Sequence, residues 1–207
     1  MVLNKRPTLI NKYDLAGNYQ SSFLGVEKDF IGTYLHYDHC WFTVKGDTIF
    51  AVQENSYKLH VLNVNGKEYK CYKIKPKHFI QIKKRQIPLV DKEITKEQRD
   101  ALDSRYSKIV KMLNVEKYLL LLSSVPFPNG ENTEGNVTYR IDVVSTDGRM
   151  LVSGINSKNY TLRCVDKNNY IYFLKSSIAD NVNKQSHYTI GKYKLNVSMI
   201  ESSETGL

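Results

Sequence analysis

The feature that most limits what this chain can fold into is a strand–turn–strand unit that occurs three times along it. In each copy, apolar and polar residues alternate on both sides of a short polar turn that contains glycine. This is the pattern of half-buried strands joined in a hairpin. The chain is therefore expected to be built from antiparallel hairpins. The copies are INKYDLAGNYQSSFL (10–24), LHVLNVNGKEYKCYKI (59–74) and YRIDVVSTDGRMLVSGI (139–155), with turn glycines Gly17, Gly66 and Gly148.

Two of these turns contain Asn65-Gly66 and Asp147-Gly148, the dipeptides that two-residue hairpin turns prefer because both central residues need positive φ. A second kind of hairpin, with a Gly, Asn or Asp turn, is expected at 40–53 and at 162–175. Four antiparallel strands joined by tight turns make one meander, which is the unit of a propeller blade. Residues 40–74 are expected to form such a meander, with strands at about 40–45, 48–53, 58–64 and 68–74.

The glycine spacing indicates an insertion in the repeat. Gly17 and Gly66 are 49 residues apart, whereas Gly66 and Gly148 are 82 apart, and the difference is assigned to residues around 75–114. A helix is predicted there, over TKEQRDALDSRYSKIVKMLN, with Pro76 and Pro88 in the linker before it. Its expected features are a capping box of Thr95 with Gln98, one apolar face of Leu102, Tyr106, Ile109 and Leu113, and a stop at Asn114.

The fold class predicted from these patterns is all-β, with propeller-type four-stranded antiparallel meanders and one helical insertion. The strands amount to about three blades, which is a partial or half propeller. The chain of 207 residues is interpreted as a single domain over 1–207. Its expected parts are blade segments 9–24, 40–74, 117–155 and 160–197 and a helical insertion at 92–114.

The order of these motifs resembles a known family. A YDLAGN hairpin is followed by VKGDTIFAV, VLNVNGKEY, a Pro-flanked basic linker, a TKEQRDA helix, YRIDVVSTDGRML and YIYFLK. Over roughly residues 9 to 197 the chain is similar to the C-terminal portion of the bacterial six-bladed β-propeller proteins related to the NHL-repeat group. The resemblance implies a propeller-based binding module with no common chemistry, and a periplasmic or cell-surface location if the chain is truncated. Six blades need more residues than this chain has, so either it is part of a longer propeller or it pairs with a second copy.

A ligand of such a fold is expected at the mouth of the central channel, where the innermost strands begin. The candidate inner strands are 40–45 and 160–165. Trp41, the single tryptophan, is either a stacking platform or, as is more common, a core residue. The candidate ligand-binding residues are His36, Asp38, His39, Trp41, Tyr160 and Arg163.

Metal-ligand side chains are concentrated in YLHYDHCWF (34–42). Strand alternation places His36, Asp38 and Cys40 on one face and His39 on the other, and the three on one face span about 13 Å, too far for one zinc ion. No metal site is therefore predicted. The scattered Cys40, Cys71 and Cys164 do not form a disulfide framework and are expected to be small buried residues in strands.

Standard catalytic motifs are absent from the sequence, which contains no G-x-S-x-G, S-x-x-K, Walker loop, G-x-G-x-x-G or H-E-x-x-H. Asp142, Asp147 and Asp166 are expected at turns or strand ends, where aspartate is favoured for conformational reasons. No catalytic residue and no cofactor are predicted. The chain also has no apolar run long enough for a transmembrane helix and no leader in its first residues, so a complete chain is expected in the cytoplasm.

The formal charge of +9 is concentrated between Lys67 and Lys92, where nine basic residues face only Glu68 and Asp91. Either these lysines guard a solvated strand edge, or they form a surface for an anionic polymer. Tyr69, Tyr72 and Phe79 lie among them, as in single-strand nucleic-acid binders, but the alternation fits an outer strand with one wet face equally well. Nucleic acid is therefore not expected as the partner. The basic patch is Lys73, Lys75, Lys77, Lys83, Lys84 and Arg85.

The function predicted is a non-enzymatic binding or interaction module for a protein or small ligand at the propeller face. Self-association, or further blades N-terminal to these, is expected to complete the propeller. One alternative is a propeller-based hydrolase or lyase with a site at the channel mouth, which needs carboxylates or histidines converging from several inner strands. The second alternative is the basic surface for an anionic polymer.

Overall fold

The computed structural model describes residues 8–31, 39–83, 95–126, 137–157, 161–179, 185–196 and 198. These residues form almost entirely antiparallel β structure, with one α-helix and a 3-10 turn at Lys28–Phe30. The strands of the first two sheets are β1 (Thr8–Tyr13), β2 (Tyr19–Gly25), β3 (Cys40–Lys45), β4 (Thr48–Gln53), β5 (Lys58–Asn63) and β6 (Glu68–Lys73). After α1 (Lys96–Asp103) follow β7 (Lys108–Val115), β8 (Tyr118–Pro126), β9 (Val137–Ser145), β10 (Met150–Asn156), β11 (Thr161–Val165), β12 (Tyr170–Ala179) and β13 (Gln185–Lys194).

The strands pair in sequence order into four successive meanders. The first sheet is two-stranded (β1-β2), the second and third are four-stranded (β3 to β6 and β7 to β10), and the fourth is three-stranded (β11-β12-β13). Every pairing between these strands is antiparallel. The predicted fold class, all-β with propeller-type four-stranded meanders, is confirmed.

The sheets pack face to face like the blades of a propeller. The first strand of each four-stranded sheet contacts the first strand of the next sheet, because β3 contacts β7 and β7 contacts β11. Apolar clusters fill the spaces between consecutive sheets. The cluster between the second and third sheets includes Val52, Leu59, Ile109 and Leu121. First strands that meet in this way lie innermost, so their ends surround the axis of the arrangement.

The helical insertion is shorter than predicted. The capping box is confirmed, since Thr95 N donates to Gln98 Oε1 over 3.0 Å and Gln98 N donates to Thr95 Oγ1 over 3.3 Å. However, α1 ends at Asp103, and the rest of the predicted helix forms β7, with Ile109 buried between sheets. The helical face that was to include Ile109 and Leu113 is therefore wrong, because pairing with β8 and burial outweigh the local helical spacing.

The β7 strand also completes the third blade. The blade segment predicted as 117–155 begins at Lys108. β7 is therefore an additional inner strand, next to the two predicted inner strands 40–45 and 160–165, which correspond to β3 and β11. The 33 residues by which the second glycine spacing exceeds the first are therefore only partly an insertion, because they also contain β7, one strand of the regular meander.

The hairpin turns have a different geometry from the predicted two-residue turns. Gly66 N donates to Asn63 O over 2.8 Å, and Gly148 N donates to Ser145 O over 3.0 Å. Gly66 and Gly148 have positive φ (80° and 86°), whereas Asn65 and Asp147 do not. The side chain of Asn63 accepts hydrogen bonds from the backbone N–H groups of Asn65 and Lys67, which closes the turn from inside. Such turns need positive φ at the glycine alone.

All three cysteines lie in strands, but two of them are not buried as expected. Cys40 is half-buried, whereas Cys71 on β6 and Cys164 on β11 are exposed. Cys71 lies on the face of the second sheet that also carries Ala51 and Leu62 of an apolar cluster, but it is on the outer strand and stays exposed. Strand membership therefore did not determine burial.

Of the basic segment, Lys73 is the last residue of the outer strand β6, whereas Lys75, Lys77 and Lys83 follow it outside any described strand. Lys73, Lys75 and Lys77 are exposed and alternate with buried Ile74 and Pro76. Lys83 is also exposed. Lys84 and Arg85 lie outside the described residues. Among the described helices, none is long and apolar enough to cross a membrane.

Candidate functional site

Polar side chains meet where the inner strands of the second and third sheets begin. His39 directly precedes β3, Glu54 directly follows β4, and Lys108 opens β7. His39 Nδ1 lies 3.2 Å from Glu54 Oε2, and Lys108 Nζ lies 3.7 Å from Glu54 Oε1. The His39 side chain is 81% exposed, whereas Glu54 is only 13% exposed. We call this group, His39, Glu54 and Lys108, the axial rim.

Backbone hydrogen bonds hold the axial rim in place. Glu54 N donates to His39 O over 2.9 Å, and Ile109 N donates to Glu54 O over 2.8 Å. The indole Nε1 of Trp41 donates to Ile109 O over 2.7 Å. The loop after β4 therefore joins the starts of β3 and β7, so the rim side chains project from a frame that is already ordered. Such preorganisation lowers the entropy cost of binding a ligand.

Trp41 lies behind this frame as a core residue. It is partly buried and packs against the apolar cluster between the second and third sheets. The ammonium of Lys111 lies 5.6 Å from the centre of its ring, at cation–π distance. The interpretation of Trp41 as core is thus favoured over that of a free stacking platform.

The other candidate residues are only partly placed. Arg163 is exposed on β11, the first strand of the fourth sheet. His36, Asp38 and Tyr160 lie outside the described residues. Burial raises the pKa of the Cys40 thiol to about 12, and Cys40 packs against the cluster between the first and second sheets.

A buried polar cluster lies between the second and third sheets, and the sequence analysis missed it. Asp142 was expected at a turn or strand end, but it lies within β9 and is 0% exposed. Its Oδ1 accepts a hydrogen bond from Gly154 N over 2.8 Å, and its Oδ2 accepts one from the Tyr57 hydroxyl. His78 Nε2 lies 3.3 Å from Oδ2, within ion-pair range. Asp147 and Asp166 do lie at turns, as predicted.

The chemistry of this cluster is that of a structural link. Burial, together with the negative charge of Asp142, raises the pKa of the Tyr57 hydroxyl well above its usual value. The phenol therefore stays protonated and donates to the carboxylate at neutral pH. The sequence did carry a signal for this cluster. Asp142 lies two residues before Val144 in an alternating strand, so both side chains point to the same face, and Val144 is buried between the sheets.

Comparison with known proteins supports the fold alone. No family model matches the chain, and no curated protein matches it. Among solved structures, the chain is similar to the crystal structure of a member of the DUF4221 family from Bacteroides vulgatus ATCC 8482, with a TM-score of 0.56 and 11% sequence identity. The match covers 90% of this chain and 56% of that one, so the chain spans little more than half the length of its structural neighbour.

Proposed function

We propose that this protein is a non-enzymatic binding module whose ligand, a protein or a small molecule, docks at the axial rim. The observation that carries the proposal is the position of His39. Its side chain is 81% exposed, and Glu54 orients it at the point where the inner strands of two sheets meet. Exposed polar groups on an ordered frame at such a position are typical of binding surfaces.

The charges of the rim favour binding over catalysis. Both oxygens of Glu54 are occupied, one by His39 and the other by Lys108. Asp142, which lies 3.3 Å from His78, is closed off from solvent. A hydrolase or lyase needs a carboxylate or histidine that can reach a substrate and accept or donate a proton. The rim offers one exposed histidine, so the enzymatic function remains the alternative proposal.

The wider architecture that we propose is a six-bladed propeller related to the NHL-repeat group, of which this chain supplies about three blades. Four consecutive meanders and the 49-residue glycine spacing support it. The remaining blades would come from further chain or from a second copy.

The binding proposal can be tested with two defined probes, a phage-displayed random peptide library and a small-molecule fragment library. Selected binders are titrated by calorimetry against the wild type, His39→Ala, Lys108→Ala and the control Lys167→Ala. Lys167 is an exposed lysine in the β11–β12 turn. We expect at least about tenfold weaker binding in the two rim variants, since losing one charged contact costs about 1.4 kcal/mol or more, and no change in the control.

Two outcomes would count against the binding module. Binders whose affinity is the same in all four proteins would place the binding surface away from the rim. Turnover of a chromogenic ester, phosphate ester or glycoside by the wild type, lost in His39→Ala, would favour the hydrolase alternative instead.

A further inference from the structure

A second group of ligand-type side chains lies on the two outer strands of the second sheet, away from the axial rim. His60 on β5 is directly opposite Cys71 on β6, and Leu62 is opposite Glu68. The register shifts between Val61 and Leu62, so Tyr69 is an extra residue on β6. In a regular strand Glu68 and Cys71 would point to opposite faces. The bulge turns Glu68 to the face that carries His60 and Cys71, and bulges often re-aim side chains at functional sites.

The three side chains converge closely. His60 Nδ1 lies 2.6 Å from Glu68 Oε2. One ligand atom from each of His60, Glu68 and Cys71 lies within 4.8 Å of the other two. Ligand atoms around a tetrahedral zinc are about 3.3–3.8 Å apart, given bonds of about 2.0–2.3 Å. Metal binding therefore requires His60 Nδ1 and Glu68 Oε2 to separate by about 0.7 Å or more, so that the ion replaces the hydrogen bond between them, and requires the exposed Cys71 side chain to move closer.

We propose that His60, Glu68 and Cys71 form a binding site for a divalent transition metal ion of the zinc class. The ligands are His60 Nδ1, one carboxylate oxygen of Glu68 and the thiolate of Cys71. Imidazole, thiolate and carboxylate together select zinc over magnesium or calcium, which prefer oxygen ligands alone. Three protein ligands leave a fourth position open to water, since Glu68 and Cys71 face solvent.

The side chain behind His60 supports this assignment. Glu27, which is buried, approaches the other ring nitrogen of His60, with 3.8 Å between Glu27 Oε1 and His60 Nε2. Ser56 Oγ donates to the same Glu27 oxygen over 2.6 Å, and Lys58 pairs with Oε2. A carboxylate that holds the distal N–H of a metal-binding histidine fixes its tautomer and orientation. At 3.8 Å Glu27 lies just beyond hydrogen-bond distance, and a shift of about 0.5 Å towards the ring would make it a positioning residue for the ligand nitrogen Nδ1.

The charge of the cluster also matches a divalent cation. Glu27 and Glu68 are negative, and Cys71 would add a third negative charge as a thiolate. Lys58 cancels one of these charges through its pair with Glu27. Two negative charges then remain among these four residues and attract a divalent cation, and Lys73, which also acts on Cys71, offsets part of that attraction. Metal binding would supply the energy to deprotonate Cys71, whose thiol pKa burial and the nearby Glu68 raise in the absence of metal.

The test is a titration of the EDTA-treated full chain with Co²⁺, a spectroscopic stand-in for Zn²⁺. We expect one Co²⁺ per chain with a thiolate-to-cobalt charge-transfer band, and loss of that band when Zn²⁺ is added. Cys71→Ser is expected to lose the band and to bind Co²⁺ at least about tenfold more weakly. Cys164→Ser, which alters another exposed strand cysteine, is the matched control and is expected to keep the band. Glu68→Gln is expected to keep the band with weaker binding.

Three results would overturn the proposal. The first is a wild-type chain that binds Co²⁺ without a thiolate band. The second is a band that survives in Cys71→Ser and disappears in Cys164→Ser. The third is weak binding of equal strength in all variants, which would mean an adventitious ion only. Circular dichroism of each variant shows whether the fold is intact. None of these readouts depends on the axial rim, so a failure here leaves the proposed binding function untouched.

Discussion

Two buried carboxylates link neighbouring sheets at the scale of single residues. Glu27, in the segment after the first sheet, is held by Ser56 and Lys58 of the second sheet. Asp142, in the third sheet, accepts a hydrogen bond from Tyr57 of the second. Burying a carboxylate is costly unless it is paired, so each link stabilises the sheet contact only as long as its partners remain.

Replacing Glu27 by Gln is expected to destabilise the fold by about 3 kcal/mol at neutral pH, because Lys58 loses its buried partner. Burial raises the pKa of the Glu27 carboxyl, but the nearby His60 ring and the hydrogen bonds from Lys58 and Ser56 outweigh it and lower the pKa to about 2. The stabilisation is therefore present above the ordinary value of 4.5 and is lost as the pH falls towards about 2. Urea unfolding in EDTA, at neutral pH and at about pH 3, measures both effects.

In the same titration, Glu27→Gln should lose less stability on acidification than the wild type does. An equal loss in both proteins would show that Glu27 does not carry the pH dependence.

The Tyr57→Phe substitution is expected to cost about 2 kcal/mol, because it removes the donor to a fully buried carboxylate. Tyr188→Phe is the control, since Tyr188 is exposed on β13. The midpoints of thermal unfolding compare the two variants. Equal midpoints would show that the Tyr57 hydroxyl is not a structural link.

At the scale of elements, the turn glycines have a role that their turn geometry does not explain. A Cβ atom at Gly66 would lie 2.4 Å from Phe23 Cγ, and one at Gly148 would lie 2.2 Å from Tyr72 Cγ. Phe23 and Tyr72 lie in the last strand of the preceding sheet, and each follows the turn glycine of its own unit by six residues. The repeat therefore carries a contact between sheets, in which an aromatic ring of one covers the turn glycine of the next.

This contact predicts unequal effects of one substitution. Gly66→Ala and Gly148→Ala are expected to destabilise by about 3 kcal/mol, from positive φ and steric overlap with an aromatic ring. Gly17→Ala is the control, since its φ is +85° but no atom lies within 4 Å of the added Cβ. It should cost only about 1 kcal/mol. Denaturant unfolding compares the three variants, and equal losses would mean that the ring contacts do not matter.

Lysines at the end of the outer strand β6 and just after it are the candidates for binding an anionic polymer. Exposed Lys73, Lys75 and Lys77 alternate with buried Ile74 and Pro76, which favours a solvated surface segment anchored by its apolar residues. We therefore expect no retention on heparin at roughly 100 mM salt. Retention that falls steeply with salt, and that is reduced in a Lys73→Ala, Lys75→Ala, Lys77→Ala variant but not in Lys167→Ala, would support the polymer-binding alternative.

At the scale of the whole molecule, the sheets differ in how fully they are covered. The two strands of the first sheet pack over β4 and β5, through Ile10 and Leu24 against Ile49, Ala51 and Leu62. The inner strand β3 remains less covered, with Phe42 50% and Val44 52% exposed. In a complete propeller, the neighbouring blade would cover apolar side chains such as these on an inner strand.

The proposal that a second copy completes the propeller predicts concentration-dependent association in sedimentation velocity. Phe42→Ser is expected to shift the equilibrium towards monomer. Tyr69→Ser is the control, because Tyr69 is 53% exposed on the outer strand β6. A wild-type monomer whose sedimentation coefficient does not vary with concentration would argue against obligate pairing.

The strands of 40–74 were predictable from the sequence to within about one residue, because alternation and turn residues are local signals. The capping box at Thr95 was predictable for the same reason. The stretch 108–115 was not, since its apolar residues fit both a helix and a strand over so short a length. Pairing with β8 decided between the two, and that partner lies beyond the reach of a local pattern.

What the sequence determined by itself is therefore the repeat: hairpins, meanders, turn glycines and an all-β class, each set by contacts between residues close along the chain. Tertiary structure alone decided which polar residues meet. Asp142 meets Tyr57 across 85 positions, and Glu27 meets Lys58 across 31. His60, Glu68 and Cys71 converge only because an extra residue on β6 shifts the register. Side-chain periodicity specifies which face of a strand a residue occupies, but the packing of sheets and a single bulge specify what that face contacts.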